Sequence, residues 1–446
     1  MQEVMTHSRP PAFVERLRTF WIFAAGELMS DVGSALATFT IDVWVYQESK
    51  SVSSLAIVHV LSMIPGVLLS PIAGAWVDRI NRRTITLACN AGLALIAAVI
   101  AVAAFTSHLD PMFLFVMAPL IGVLRTVLNL SLIAATAQLV PVSDIPRVHG
   151  LLGAAGSLIG MLSPTVASFL VARIGPAAVL AIDVGTFVIA LGTGWIVRLP
   201  DPERGKDEPG SSVWRETLAG LRFVMTRPGL SGLLSLATVG GFSLQMATLL
   251  LTPLVLTIRS LAELGTVLSA GGIGGLVGAF AVGILGGRAR NRMKLVLLCS
   301  AVSAISVVVA GLTTTLGLLA IAAFAVELAE PVAASMRRTI WQAKVPTHMF
   351  GRTLALQQTA GSASSLLALM LAGPLADHVL EPAMRGDGLL VSTLGRVMGT
   401  GPGRGMGVLL VLLGLLYGGA TLRAALTTRV RRVETDLPDA CHSIDA

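Results

Sequence analysis

The sequence predicts an all-α membrane protein with twelve transmembrane helices in two pseudo-symmetric six-helix bundles. Charged residues make up 13% of the 446 residues and hydrophobic residues 54%, whereas about 25% of the residues in soluble domains are charged. The mean hydropathy is +0.80. Long, continuous apolar runs favour helices, because membrane strands would alternate polar and apolar residues. A helical span takes about 20 residues, so the chain has room for about twelve spans.

The positions of the spans are predicted from the apolar runs, which are separated by short polar turns. In the first half they are 18–46, 52–77, 84–106, 111–139, 147–172 and 176–198; in the second half they are 228–257, 261–286, 293–312, 314–341, 349–376 and 405–426. Residues 212–226 carry apolar residues at helical spacing among arginines, which predicts an amphipathic helix on the inner membrane face. The predicted domains are an N-terminal bundle (15–199), a cytoplasmic linker (200–227), a C-terminal bundle (228–428) and a cytoplasmic tail (429–446).

The distribution of positive charge predicts the orientation. With both termini in the cytoplasm, 25 of the 32 Lys and Arg residues fall in inner segments, as the positive-inside rule requires. The predicted location is the cell inner (plasma) membrane, crossed many times. The net charge of +7 is then explained by a basic surface facing anionic lipid, and no nucleic-acid partner is expected.

Neither a cofactor nor a cleaved leader is expected. The three cysteines are an odd number and show neither a disulfide framework nor zinc-ligand spacing. The polar, basic N-terminal residues lack the apolar core of a removable signal peptide, so the first span is expected to direct insertion.

A degenerate repeat indicates that the two halves are related. The basic loop Gly74-Ala75-Trp76-Val77-Asp78-Arg79-Ile80-Asn81-Arg82-Arg83 recurs 209 positions later, from Gly283 to Arg292. Gly74, Arg79 and Arg83 have counterparts there, whereas Asp78 has none. A tight basic turn between two apolar runs predicts a short loop at a membrane surface.

The loop resembles the G-x-x-x-D-R-x-x-R-R loop of the major facilitator superfamily, which lies on the cytoplasmic side between the second and third helices. Four further segments are similar to helices of the branch that includes macrolide-efflux and enterobactin-exporter proteins: Gly26 to Gly33, Pro331, Val345 to Arg352, and Gly373 to Asp377. The resemblance covers about residues 18–426 and implies the major facilitator fold. It also implies that the first, fourth, seventh and tenth helices line a central cavity.

The acidic residues in the first span are expected to face a cavity or a partner, because inserting a charged side chain at the bilayer centre costs about 2.5–3.5 kcal/mol on insertion scales. Glu27 and Asp31 are one turn apart on the same helical face. At about 100° per residue, Asp42 lies about 20° around from Asp31. Ser34 and Thr38 fall on much the same face, which predicts a polar stripe facing an aqueous pathway.

Desolvation favours the protonated form of a carboxyl group, so such groups can bind and release protons near neutral pH. Asp31 or Glu27 is the predicted main proton-coupling site, with Glu327 and Glu330 of the tenth span assisting or binding a cationic substrate. The predicted substrate-binding residues are Arg125, Asn129, Gln245, Gln357 and Gln358. In the alternative interpretation, Arg125 simply neutralises Glu27 or Asp31 in a fixed ion pair.

The basic loop supplies the predicted gating residues, which are Gly74, Asp78, Arg79 and Arg83. Asp78 could receive the N-terminus of the eleventh helix near residues 347–351, where backbone N–H groups favour an anion. Arg82 and Arg83 could equally be determinants of topology.

Two further residue patterns are interpreted structurally. His59, alone in the second span, is expected to be packed or to face a cavity, and is not interpreted as a metal ligand. Glycines spaced four apart, Gly156 with Gly160 and Gly274 with Gly278, predict close helix packing.

The resemblance implies a secondary active transporter that works by alternating access. The predicted function is proton-coupled efflux of a small amphipathic or cationic compound, either a drug, a natural product or a siderophore. The expected partners are this substrate, protons and membrane lipids, and the expected state is a monomer. No H-E-x-x-H, G-x-S-x-G or P-loop motif occurs, so an enzyme is not expected. A lipid-translocating member of the same fold and a non-transporting membrane sensor are the alternatives.

Overall fold

The computed structural model describes residues 11–79, 81–140, 144–197, 220–285, 291–385, 388 and 390–437. The described chain is almost wholly helical, and no strand occurs in these ranges. This confirms the predicted all-α class.

Six long helices form the first half: α1 (Pro11–Ser49), α2 (Val52–Arg79), α3 (Arg82–Phe105), α4 (Pro111–Leu139), α5 (Ile145–Ile174) and α6 (Pro176–Ile196). Side-chain caps fix where two of them begin. The Asn81 side chain accepts hydrogen bonds from the backbone N–H groups of Arg83 and Thr84 at the start of α3. Asp110 accepts one from the Met112 N–H at the start of α4, where proline occupies the first helical position.

The second half contains six more: α7 (Pro228–Ile258), α8 (Leu261–Leu285), α9 (Arg292–Leu312), α10 (Leu316–Lys344), α11 (Thr347–Gly373) and α12 (Arg404–Leu426). A π-helical segment, Pro374–Leu380, continues α11. The carboxylate of Glu381, just beyond it, accepts hydrogen bonds from the Gly403 and Gly405 N–H groups at 2.6 and 2.9 Å. Glu381 therefore caps the start of α12.

The protein is a multi-pass membrane protein. In the described ranges, eleven helices are long and apolar enough to cross a bilayer, and the described apolar part of α2 covers Val52–Gly66. Many of these helices carry large, exposed apolar side chains, such as Trp195 and Phe280. Such surfaces suit contact with lipid.

The described chain divides into two compact units. The first contains the described residues of Met1–Ile41 and Leu61–Lys206, and the second those of Asp42–Val60 and Asp207–Ala446. Helices α1 and α2 therefore each contribute residues to both units. In the first unit α3 packs against α6 and α4, and in the second α10 packs against α8 and α9.

The predicted packing role of glycine is confirmed for Gly274 with Gly278, whereas no described contact supports it for Gly156 with Gly160. A Cβ at Gly274 would overlap the carbonyl oxygen of Phe324, and one at Gly278 would lie 2.5 Å from the carbonyl oxygen of Leu328. Both glycines therefore let α8 approach the backbone of α10. At Gly156 and Gly160 an added Cβ would meet no described atom within 4 Å, so neither glycine makes a close contact with a described part of another helix.

Within the second unit, a distant carboxylate caps α2. Asp377, in the π-helical segment, accepts hydrogen bonds from Ser51 Oγ at 2.8 Å, from the Val52 N–H at 3.2 Å and from the Ser53 N–H at 2.8 Å. A Cβ at Gly373 would strike the Cα of Ser53. The glycine thus permits backbone approach, and the aspartate satisfies N–H groups that a helix start leaves unpaired.

Asp377→Ala is expected to lower the free energy of unfolding by about 1–2 kcal/mol, the usual cost of losing an N-cap. Asp377→Asn, which keeps one acceptor oxygen, is expected to lose less. Thermal unfolding in detergent measures both. Asp110→Ala is the matched control, because the Asp110 carboxylate accepts a single described hydrogen bond, at 3.2 Å and exposed. A loss for Asp377→Ala no larger than that of the control would contradict the expectation.

Candidate functional site

Glu27, one of the two predicted coupling residues on α1, is buried against α3. Its side chain is 6% exposed, and Asn90 Nδ2 donates a hydrogen bond to Glu27 Oε1 at 2.8 Å. The partner is a neutral amide, and no ion pair of Glu27 is described. Sequence reasoning missed Asn90, although a single amide in the apolar third span was a visible signal.

Asp31, the second predicted coupling residue, faces Arg125 of α4. Arg125 Nη1 lies 3.6 Å from Asp31 Oδ1, and the two side chains are 40% and 51% exposed, respectively. That separation is too long for a good direct hydrogen bond, although the two groups are close enough for an ion pair. Arg125 therefore pairs loosely with Asp31, and the pair is open to its surroundings. Asn129, one turn along α4, is exposed.

A third carboxyl group, Asp183 of α6, belongs to the same region, and sequence reasoning did not consider it. Asp183 is 7% exposed, and Ser34 Oγ donates to its Oδ1 at 3.0 Å. The sequence does indicate this residue, because Asp183 is a lone aspartate within the apolar sixth span. The polar residues of the predicted stripe on α1 thus contact three different helices: Glu27 contacts α3, Asp31 faces α4 and Ser34 contacts α6.

A small cavity lies between these helices within the first unit. Its volume is about 50 Å³, and its polar lining consists of Ser34, Thr38, Arg125 and Asp183. The remaining lining is apolar, with aliphatic side chains and Phe187. The site therefore combines two acceptor or donor hydroxyls, one carboxyl group and one guanidinium in an apolar setting.

Two glycines bring α1 close to α6. A Cβ at Gly26 would overlap Thr193 Oγ1, and a Cβ at Gly33 would overlap Thr186 Oγ1. Both pairs are seven residues apart on their helices, so the glycines of α1 face the threonines of α6 at two successive levels. We call these four residues the glycine–threonine seam. It places Ser34 within hydrogen-bond reach of Asp183.

Asp42 and His59 form a separate pair within the second unit. His59 Nε2 lies 3.0 Å from Asp42 Oδ1, and both side chains are largely buried. His59 thus contacts a carboxylate, and no cluster of three or more His, Cys, Asp or Glu suited to a metal occurs among the described residues. Asp42 was expected to continue the polar stripe of α1, but it belongs to a different unit from Glu27 and Asp31.

The two acidic residues of α10 have different surroundings. Arg337 Nη2 donates to Glu330 Oε1 at 2.6 Å, and the Arg337 side chain is 15% exposed. Arg337 lies within the predicted tenth span and was assigned no role from the sequence; its side chain folds back along α10 to reach the carboxylate. Glu327 is half-buried and has no described ion pair.

The predicted amide residues show few described contacts. Gln357 Nε2 donates to the Thr353 carbonyl oxygen of its own helix at 3.3 Å. Gln245 is half-buried on α7, and Gln358 is exposed on α11. No hydrogen bond between described side chains joins Gln245 to either glutamine of α11.

Of the predicted gating residues, only Arg83 has a described side chain. Arg83 Nη2 donates to the Trp195 carbonyl oxygen at 2.5 Å, which ties the start of α3 to the end of α6. The side chains of Gly74, Asp78 and Arg79 lie outside the described residues. So does most of the predicted amphipathic helix, although residues 220–225 are helical.

Comparison with known proteins identifies similar transporters. Macrolide efflux protein A of Streptococcus pyogenes is 24% identical over 376 residues, covering 81% of this chain and 90% of the relative. The multidrug efflux pump Tap of Mycolicibacterium fortuitum is 25% identical over 368 residues, covering 80% and 88%. The enterobactin exporter EntS of Shigella flexneri is 28% identical over 269 residues, covering 58% and 62%.

Solved structures show the same fold at low identity. A bacterial homolog of the human lysosomal transporter Spinster, in an inward-facing and unoccupied conformation, aligns with a TM-score of 0.64 at 14% identity, covering 93% of this chain and 98% of that one. The nucleoside transporter NupG aligns with a TM-score of 0.62 at 12% identity, covering 91% and 99%. The family model described as Major Facilitator Superfamily matches residues 23–369. The chain is a transporter rather than an enzyme, and it belongs to the Major Facilitator Superfamily.

Proposed function

We propose that the protein is a secondary active transporter that exports a small amphipathic or cationic compound in exchange for protons, by alternating access. The cargo is a drug, a natural product or a siderophore. Glu27 and Asp31 are the main proton-coupling residues. Export is supported by relatives whose names describe efflux of macrolides, of several drugs and of enterobactin.

The main support for the proposal is that α1 carries two carboxyl groups one turn apart, of which one is buried and the other is half-exposed. Glu27 is buried beside a neutral amide, whereas Asp31 is half-exposed beside Arg125. An ionised carboxylate withdrawn from water is costly unless it is paired. Asp31 can exchange protons with water, and Glu27, one turn away, can hold a proton out of water.

The composition of the cavity supports the class of cargo. Its lining is mainly apolar, with one arginine, one carboxyl group and two hydroxyls, which suits lipophilic molecules better than sugars or phosphates. At about 50 Å³ the cavity is smaller than the roughly 300–1,000 Å³ of ligand pockets, so it supports the chemistry of the pathway and does not itself hold a cargo. A single arginine, already beside Asp31, provides little attraction for a strongly anionic substrate. On α10, Glu327 is the carboxylate without a described cation, so it can assist by attracting a cationic cargo, while Glu330 is held by Arg337.

The proposed inner gate is the basic loop, with Gly74, Asp78 and Arg79, whose side chains lie outside the described residues. Arg83 is better described as a structural tie, because its guanidinium is engaged with the end of α6. This contact lies within the first unit and does not depend on the gate.

Transport into proteoliposomes tests the function directly. Protein reconstituted with an acidic interior is expected to accumulate cargo as protons leave, and a protonophore is expected to abolish the accumulation. The probes are a radiolabelled macrolide, the cation ethidium and the siderophore enterobactin. Proton-independent uptake, or no uptake of any of the three probes, would contradict the proposed coupling and cargo classes.

A further inference from the structure

Asp183 is a buried carboxyl group that the proposed coupling pair does not include. It lies on α6, is 7% exposed, and accepts a hydrogen bond from Ser34 Oγ at 3.0 Å. Gly33 makes room for it, because a Cβ there would lie 2.9 Å from Asp183 Oδ1. The carboxyl group is therefore part of the seam between α1 and α6.

Few charged groups face Asp183. The described charged or titratable side chains on the spans of the surrounding helices are Arg18, Glu27, Asp31, Asp42, Tyr46 and Glu48 on α1, Arg82, Arg83 and Cys89 on α3, Arg125 on α4 and Arg173 on α5. Among these, Arg125 lines the cavity beside Asp183. None of the described cations forms an ion pair with Asp183, and the ion pair of Arg125 is with Asp31. The described hydrogen bond to the carboxylate comes from a neutral hydroxyl.

The cavity beside Asp183 gives protons a route to it. At about 50 Å³ it exceeds the roughly 10–15 Å³ that a water molecule needs. Its polar lining offers the two to four partners that hold an internal water: Ser34, Thr38, Arg125 and Asp183. Arg125 links the cavity to the half-exposed Asp31. Water held there can carry a proton between the open pair and the buried carboxyl group.

We propose that Asp183 is a second proton-binding residue of the transporter, reached through the cavity that it shares with Ser34, Thr38 and Arg125. In the binding step, a hydronium ion in the cavity gives its proton to the carboxylate. An O–H bond forms on the carboxyl group, and a neutral water remains. Release reverses the step. The importance of this site for export rests on the proposed function, but proton binding itself does not.

Infrared difference spectroscopy of the reconstituted protein at acid and alkaline pH tests the proposal. The wild type is expected to show a carboxyl C=O band that is absent in Asp183→Asn, which keeps the size of the side chain and an oxygen for Ser34. The band is expected to shift in Ser34→Ala, because its hydrogen-bond donor is removed. Glu263→Gln, at the start of α8 and beside Arg259, is the control in which this band should stay.

Spectra of Asp183→Asn that match the wild type would overturn the proposal. If that variant does not fold, Ser34→Ala provides the test. A shifted carboxyl C=O band in Ser34→Ala would support the proposal, and an unshifted band would overturn it. In transport, Asp183→Asn is expected to lower proton-driven flux by about tenfold, within the usual range of coupling energies, and to reduce cargo counterflow much less. A wild type without flux would instead refute the proposed function and leave the spectroscopic test intact.

Discussion

Glu27→Gln combined with Asp31→Asn is expected to abolish proton-driven transport. Both replacements keep the size of the side chain and remove its ability to ionise. At position 27 the amide oxygen can still accept the hydrogen bond from Asn90 Nδ2, which is 2.8 Å from Glu27 Oε1 in the wild type. The fold should therefore survive, and the variant isolates the effect of charge.

The single variants are expected to differ because their surroundings differ. Asp31→Asn removes the half-exposed carboxyl group beside Arg125, so the initial rate under a pH gradient should fall by about tenfold or more, equivalent to about 1.4 kcal/mol. Glu27→Gln removes the sealed carboxyl group, and its remaining flux should respond less to external pH than that of the wild type.

The measurement is cargo uptake into proteoliposomes with and without a pH gradient, alongside counterflow without one. Glu263→Gln again serves as the matched control, because Glu263 is paired with Arg259 at the start of α8. Should the double variant keep gradient-driven uptake at the wild-type rate, the assignment of coupling to these two residues would be wrong. Counterflow that persists without gradient-driven uptake would support it.

The second large effect is expected at the glycine–threonine seam. Gly33→Val should lower the free energy of unfolding by about 1–3 kcal/mol or more, the usual cost of overpacking. The new side chain would overlap Thr186 Oγ1 and crowd Asp183 Oδ1, 2.9 Å from the Cβ position. Thr186 cannot turn away without cost, because its hydroxyl donates to the Asp183 carbonyl oxygen at 2.8 Å.

Thermal unfolding in detergent measures this effect, and the chain offers a matched control. Gly156→Val places the same side chain in a helix at a position where an added Cβ meets no described atom within 4 Å. Combining Gly33→Val with Thr186→Gly removes the atoms that the valine strikes, so stability should partly return. Equal melting temperatures for Gly33→Val and Gly156→Val would refute the packing account of the seam.

The sequence alone predicted the helices better than the site. Long, continuous apolar runs indicate a span whichever way its faces point, so eleven of the predicted spans, and the described apolar part of a twelfth, are found as helices in the described ranges. The direction of each polar side chain was harder to obtain. Glu27 and Asp31 share a helical face, yet one is sealed by Asn90 and the other is open beside Arg125. Helical periodicity does not predict this difference in burial, because the burial of each residue depends on which neighbouring helix lies opposite that turn.

The missed residues have a common physical cause. Asp183 and Arg337 were each visible in the sequence, but their partners are set by packing and by side-chain reach. Ser34 meets Asp183 only because Gly33 lets α1 approach α6. Arg337 reaches Glu330 across seven residues of α10, whereas the side-chain pairs usually sought on a helix are three or four residues apart. Long side chains of this kind can return to an apolar region when a carboxylate is available.

The division of α1 and α2 between the two units has a consequence for any attempt to split the protein. The chain leaves the first unit after Ile41 and returns at Leu61, well before the linker. A break in the linker would yield an amino-terminal fragment that still carries Ser51, whose partner Asp377 is on the other fragment. The amino-terminal fragment would hold all residues of the first unit together with residues 42–60 of the second, so the carboxy-terminal fragment would lack that segment of its own unit.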